Sequence, residues 1–192
     1  MTDTKKKRGR PRGFDKEKAT NIALKLFWDD GYEATGLSKL TSNIGVGAPS
    51  LYAAFGSKAD LFARTVQLYQ DRCAPLFEPA FQANNLEEFT ELLFSAAVES
   101  YTSPDGGRGC LVLDGTRNAS DQEALEITQK IRDEFRAQLV VKLSELKVQY
   151  PSKVADTYQT AMIGLSGAAR HHLSKNRLQE IASMLVHSFQ KI

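Results

Sequence analysis

Residues 31–61 read GYEATGLSKLTSNIGVGAPSLYAAFGSKADL, and the punctuation of this stretch decides the fold. Leu37, Leu40 and Ile44 keep helical spacing, which predicts a short helix over about 37–44. Gly45-Val46-Gly47 then makes a tight turn with Val46 as its apolar plug. Pro49 suits the first turn of the next helix, where Leu51 and Phe55 lie one turn apart. Ser57 and Asp60 have capping-box spacing and open a fourth helix through Leu61, Phe62, Val66 and Tyr69.

Upstream, Asp15 is placed to cap a first helix whose Ala19, Ile22, Ala23, Leu26 and Phe27 form one apolar stripe. Gly31 is expected to end it in a left-handed cap. Three short helices around a glycine turn make a helix-turn-helix pattern. In front of it stands a basic arm. Residues 1–13 carry Lys5, Lys6, Lys7, Arg8, Arg10 and Arg12 against the single acid Asp3, a charge of +5 that leaves −3 for the rest of a chain whose net charge is +2. A basic arm on a mildly acidic body suits a polyanion contacted at one end.

Downstream, strand signals are scarce and helical periodicity recurs, so the fold class is all-α with about nine helices. Pro75 and Pro79 mark a break after the fourth helix. Asn85 caps a helix carrying Leu86, Phe89 and Leu93, and residues 103–107 (SPDGG) form a loop. Residues 110–118 read as a short apolar helix, and Ser120 with Glu123 as the capping box of a long one toward Lys147. Pro151 and Ser152 start the next helix, running to about Leu173, and Asn176 caps the last. The expected divisions are a disordered arm at 1–13, a helix-turn-helix unit at 14–57 and a further helical unit at 58–192.

The segment 31–61 strongly resembles the DNA-binding domain of the TetR family of bacterial repressors. Gly31-Tyr32, Thr35, the turn Gly45-Val46, Ser50-Leu51-Tyr52, Phe55 and Ser57-Lys58 carry the resemblance. It implies DNA binding for residues 14–57, and ligand binding and dimerisation for residues 58–192. It implies a homodimer that sets the third helix of each subunit in the DNA major groove, and a small-molecule effector, here unknown, that releases it. Thr35, Ser50, Tyr52 and Lys58 fall where the family contacts DNA, chiefly at phosphates. Base reading falls to the exposed face of residues 47–54, beginning Gly47, Ala48 and Pro49. Ala48, Pro49, Ala53 and Ala54 depart from the polar residues common there, and Gly36 from a common hydroxyl, so fewer bidentate base contacts are expected. Arg8-Gly9-Arg10-Pro11-Arg12 looks like the core of an AT-hook. Its arginines either enter a narrow A·T-rich minor groove or attract phosphates non-specifically.

Thr157, Ala161, Gly164 and Ala168 form a stripe of small residues, which with Ile181 and Leu185 of the last helix is read as the dimer interface; packing within one subunit is the alternative. Candidate ligand contacts are the aromatics Phe62, Tyr69, Phe89, Tyr101, Phe135 and Tyr158. Met162, Cys110 and Arg117 join them, and Arg117 and Arg170 would suit an anionic ligand. Aromatics at this spacing equally make plain core. Cys110, beside Arg108 at a loop-to-helix junction, is either a reactive sensor thiol or a small buried hydrophobe.

Other classes are disfavoured. No apolar run approaches the roughly 20 residues of a membrane span, and no apolar stretch follows the basic N-terminus to make a secretory signal. Two cysteines, Cys73 and Cys110, cannot scaffold a chain of this size, so a reducing cytoplasm is expected. Residues 106–109 (GGRG) lack a phosphate-loop context, and no nucleophile–base or zinc motif occurs, so neither an enzyme nor a cofactor is expected. His171, His172 and His187 have no metal-ligand spacing. The rival to an effector-responsive repressor is an architectural binder of A·T-rich DNA without ligand response, or a thiol-based sensor through Cys110.

Overall fold

The computed structural model describes residues 15–104 and 106–190. Among the described residues it contains nine helices and no strand: α1 (Lys16–Asp30), α2 (Leu37–Ile44), α3 (Ala48–Phe55), α4 (Lys58–Gln82), α5 (Leu86–Tyr101), α6 (Leu111–Asp114), α7 (Gln122–Glu145), α8 (Pro151–Arg170) and α9 (Lys175–Phe189). The first three helices form a small unit held on the start of α4. The remaining helices wrap α5, whose Phe89, Leu93, Phe94 and Ala97 are fully buried against α4, α8 and α9.

Local chemistry accounts for the elements near the N-terminus. Asp15 caps α1 by accepting from the Lys18 N–H at 3.0 Å. Gly45 ends α2 in the left-handed region (φ 79°, ψ 33°), which an L side chain would resist. Ser57 and Asp60 form a reciprocal capping box at α4. Gly31 has positive φ (82°), but its ψ of 169° is extended rather than left-handed helical as expected. Leu51 and Phe55 bury α3, while Phe27, Tyr32 and Phe62 pack ring against ring with centroids 5.0–5.8 Å apart.

Four boundaries differ from the sequence expectation. Helix α4 does not break at the prolines: Pro75 and Pro79 both lie inside it. They sit with Asp71 at i, i+4, i+8 on an exposed face, so the carbonyls that lose their donors turn to water, and the packed opposite face carries the helix through. Asp121, not Ser120, caps α7, accepting from Glu123 and Ala124 N–H groups. The tertiary fold uses Ser120 elsewhere, its N–H and hydroxyl donating to Glu33 at 3.1 and 3.2 Å. Ser174 rather than Asn176 caps α9, because His172 at φ 62° turns the chain early after α8. Helix α6 covers only Leu111–Asp114 and not 110–118, with Cys110 as its N-cap residue.

Candidate nucleic-acid interface and effector cavity

Helix α3 presents a bare tip. Gly47, Pro49, Ser50 and Ala53 are exposed, Ala48 is partly so, and the Tyr52 ring is 48% accessible. Apolar contact holds the other side, through Leu51 and Phe55. A hydroxyl and a phenol therefore project from a rigid helix whose N-terminus is open, which suits phosphate oxygens.

Two of the four expected phosphate contacts are placed differently. Thr35 is fully buried; its hydroxyl donates to the carbonyls of Gly31 at 2.7 Å and Leu26 at 3.2 Å. It ties the end of α1 to the start of α2 and offers no surface donor, which corrects the expectation for it. Lys58 is half-buried, with Nζ 4.0 Å from the centroid of the Tyr32 ring. Burial lowers its pKa, against the opposing pull of Glu33 and Asp121. Arg8, Arg10 and Arg12 lie outside the described residues.

Tyr32 sits at the junction with the larger helical body. Its hydroxyl donates to Asp121, whose carboxyl is held below its ordinary value chiefly by that bond. Its N–H donates to the Gly115 carbonyl at 2.7 Å. On the other side of α6, Trp28 Nε1 donates to the Gly109 carbonyl at 2.8 Å, and Arg170 Nη1 to the Trp28 carbonyl at 3.1 Å. Arg170 also pairs with Asp114 at 3.1 Å. Both flanks of α6 thus grip the end of α1 and the turn after it.

The opposite side of α6 faces a partly open cavity of about 330 Å³ lined by α4, the end of α5, α6, α7 and α8, within the range of small-molecule sites. Of the expected ligand residues, Tyr69, Tyr101, Cys110, Phe135 and Met162 line it. Phe62, Phe89 and Tyr158 do not: Phe62 belongs to the Phe27–Tyr32 cluster, and Tyr158 stacks on Phe94 at 5.5 Å beside Phe89. Arg117 is exposed and pairs loosely with Asp114, and Arg170 is half-buried at the junction beside Asp114 and Trp28; neither lines the cavity. Among the lining residues that sequence reasoning missed are Cys73, Phe77 and Phe81 on α4, Arg132 on α7 and Gln159 on α8. Phe77 and Phe81 continue the Val66–Tyr69–Cys73 face, a signal hidden by the assumed break at Pro75.

Both thiols are on this wall. Tyr69 donates to Cys110 Sγ at 3.2 Å, and Cys73 Sγ lies 3.2 Å from the Ser100 hydroxyl. Burial pushes Cys110 up to about 11, outweighing the Tyr69 bond and the α6 N–H groups, and also raises Cys73. Arg108 does not activate Cys110; it is exposed and reaches toward the Leu173 carbonyl at 3.4 Å. Burial and the lack of a neighbouring cation among the described residues favour the neutral thiol of Cys110, as a small buried hydrophobe would have.

The α8–α9 face is different in kind. Thr157 and Gly164 are exposed, and Ala161, Ala168 and Leu185 are partly so. Ile163, Ile181 and Met184 stand out from it, Met184 at 71% exposure. A groove of about 300 Å³ runs between Thr157, Ala161 and Leu185.

The pattern described as "Bacterial regulatory proteins, tetR family" matches residues 20–65. The HTH-type transcriptional repressor BdcR of Escherichia coli (strain K12) is 33% identical over 92% of this chain and 89% of its own. The chain belongs to the TetR family. The HTH-type transcriptional repressor ComR of the same organism is 31% identical over 93% of this chain and 90% of its own. Among solved structures, a cysteine mutant of the TetR family regulator CifR, complexed with 26-bp double-strand operator DNA, superimposes with a TM-score of 0.81 at 28% identity, covering 93% of this chain and 98% of that one. The helix-turn-helix of α2 and α3 is the family's DNA-binding element, and the protein is a transcriptional regulator.

Proposed function

We propose that this TetR family member is a repressor that binds a palindromic operator as a homodimer and leaves it when a small molecule fills the α4–α8 cavity. The observation that carries the reading is α6, which lines the cavity with Cys110, Val112 and Leu113 and holds α1 through the carbonyls at its two flanks. A ligand that prefers one position of α6 shifts the spacing of the two α3 helices, and by linkage DNA disfavours that ligand. Residues 14–57 serve DNA, residues 58–192 the effector and the partner subunit, and the basic arm at 1–13 adds Arg8, Arg10 and Arg12 to the minor groove. Ser50 and Tyr52 hold phosphates, and the exposed face from Gly47 to Ala54 meets bases. The α8–α9 face receives a second copy of the chain: small residues admit the partner helix and Ile181, Met184 and Leu185 bury against it. The cavity is a sensing site rather than a catalytic one, and the protein works in the cytoplasm, where its DNA is.

The test is binding of the purified protein to its own upstream intergenic DNA against scrambled competitor at physiological salt. Selective binding of one dimer to one palindrome is expected. Equal binding to both DNAs would overturn the operator reading and favour the architectural one.

A further inference from the structure

Two charged side chains reach the cavity wall, Glu78 and Arg132. They are not equivalent. Glu78 is exposed on α4, where water and salt screen its carboxylate. Arg132 is half-buried on α7, on the same wall as Ile131 and Phe135. Among the described residues Arg132 has no carboxylate in salt-bridge range. Its bonds all go to neutral oxygens: Nη1 to the Val112 carbonyl at 3.1 Å and the Thr128 hydroxyl at 3.4 Å, Nη2 to the Gln129 amide oxygen at 2.7 Å. A guanidinium has more N–H groups than these bonds use, among them Nε–H. A half-buried cation with spare donors and no counter-charge favours an anion, and charge-assisted bonds to a planar oxyanion are the strong ones. Most of the remaining wall is apolar, with Phe77, Phe81, Leu113, Phe135 and Met162 among it, and its neutral polar residues are Gln70, Gln138 and Gln159.

We propose that the effector is an apolar monoanion, a carboxylate or sulfonate on an aromatic or alkyl body, and that Arg132 fixes its charged end. Gln159 supports the arrangement from α8, donating to the Arg132 main-chain carbonyl at 2.9 Å. The same guanidinium holds α6 through Val112. Capture of an anion draws it toward the ligand and weakens that hold, and α6 grips Trp28 and Tyr32 at its flanks. Specificity and the first step of signalling then reside in one side chain. The assignment rests on reading the cavity as the effector site, and its test does not use DNA.

The probes are 1-anilinonaphthalene-8-sulfonate, an aromatic monoanion, and N-phenyl-1-naphthylamine, its uncharged counterpart, titrated by fluorescence into the full-length protein and into Arg132→Gln. The sulfonate is expected to bind the variant at least about tenfold more weakly, the size of one charge-assisted bond, with the uncharged dye unchanged. Sulfonate affinity that survives the substitution, or equal loss of both dyes, would overturn the proposal, as would absence of saturable binding to the unaltered protein. A second measurement needs no variant: 4-phenylbutyrate should displace N-phenyl-1-naphthylamine at concentrations at least about tenfold lower than 4-phenylbutylamine. Equal displacement, or preference for the amine, would sink the anion assignment. Operator binding by ligand-free Arg132→Gln is measured separately, so a failed repressor reading shows itself as absent DNA binding whatever the dyes report.

Discussion

Thr35 and Tyr52 share a hydroxyl and a place in the helix-turn-helix, yet the structure gives them opposite tasks. Thr35 spends its proton inside, on the carbonyls of Gly31 and Leu26, whereas Tyr52 stands in solvent. Thr35→Val should therefore lower stability by about 0.5–1.5 kcal/mol in urea denaturation and leave the operator affinity of folded protein nearly unchanged. Tyr52→Phe should do the reverse, losing about 0.5–1.5 kcal/mol of binding on operator and scrambled DNA alike while its urea midpoint stays put. A crossed pattern would show that the two roles are wrongly assigned. Cys110 gives a pH-dependent counterpart. Its folded pKa of about 11 exceeds the ordinary thiol value of 9.0, so the unfolded chain ionises first as pH rises. Its contribution is complete below pH 9.0 and lost toward about 11. Tyr69 and Tyr101, both raised by burial, steepen the fall at the upper end. Urea midpoints at pH 8.5 and 10.5 should show the drop, and Cys110→Ala should make it shallower.

At the scale of the element, α4 deserves its length to packing rather than propensity. Val66, Tyr69 and Ala80 are buried along it, and this face outweighs two interior prolines on the other. Each proline forfeits a backbone bond at a cost of up to about 3 kcal/mol against alanine. Pro79→Ala should thus raise stability by about 1–3 kcal/mol, read as an upward shift of the thermal midpoint; a fall would mean that the proline shapes α4 in a way the packing needs. The ends of elements show which sequence signals are local. The Asp15 and Asn85 caps, the Ser57–Asp60 box and the Gly45 turn were all legible, since each is closed within four residues. The cap of α7 was not. Ser120 and Asp121 are both good capping residues, and the choice was made by Glu33, distant in sequence, which engages Ser120.

The whole molecule has two exposed surfaces of contrasting character, the α3 tip and the α8–α9 face. Gly164 offers a clean probe of the second, because a Cβ built there meets nothing within 4 Å in a single chain. Gly164→Arg should leave the subunit folded, as judged by circular dichroism, yet shift it to monomer in sedimentation and abolish tight operator binding. A variant that stays dimeric would move the interface away from this face. The single tryptophan, Trp28, packs edge-on against the cavity residue Tyr69 with ring centroids 4.8 Å apart, so its emission reports directly on the junction between the two regions.

The sequence by itself determined the all-helical class and the helix-turn-helix, because helical period, caps and glycine turns are set by neighbours a few residues apart, and the motif of residues 31–61 carried the resemblance to the family. It also named five of the cavity residues, without being able to part them from Phe62, Phe89 and Tyr158, which have the same apolar character. Only the tertiary structure decided that division, along with the burial of Thr35 and the placing of Arg132 rather than Arg117 or Arg170 at the cavity wall. Periodicity tells which face of a helix turns inward; whether that face meets another side chain or an empty space depends on how α4, α6, α7 and α8 come together.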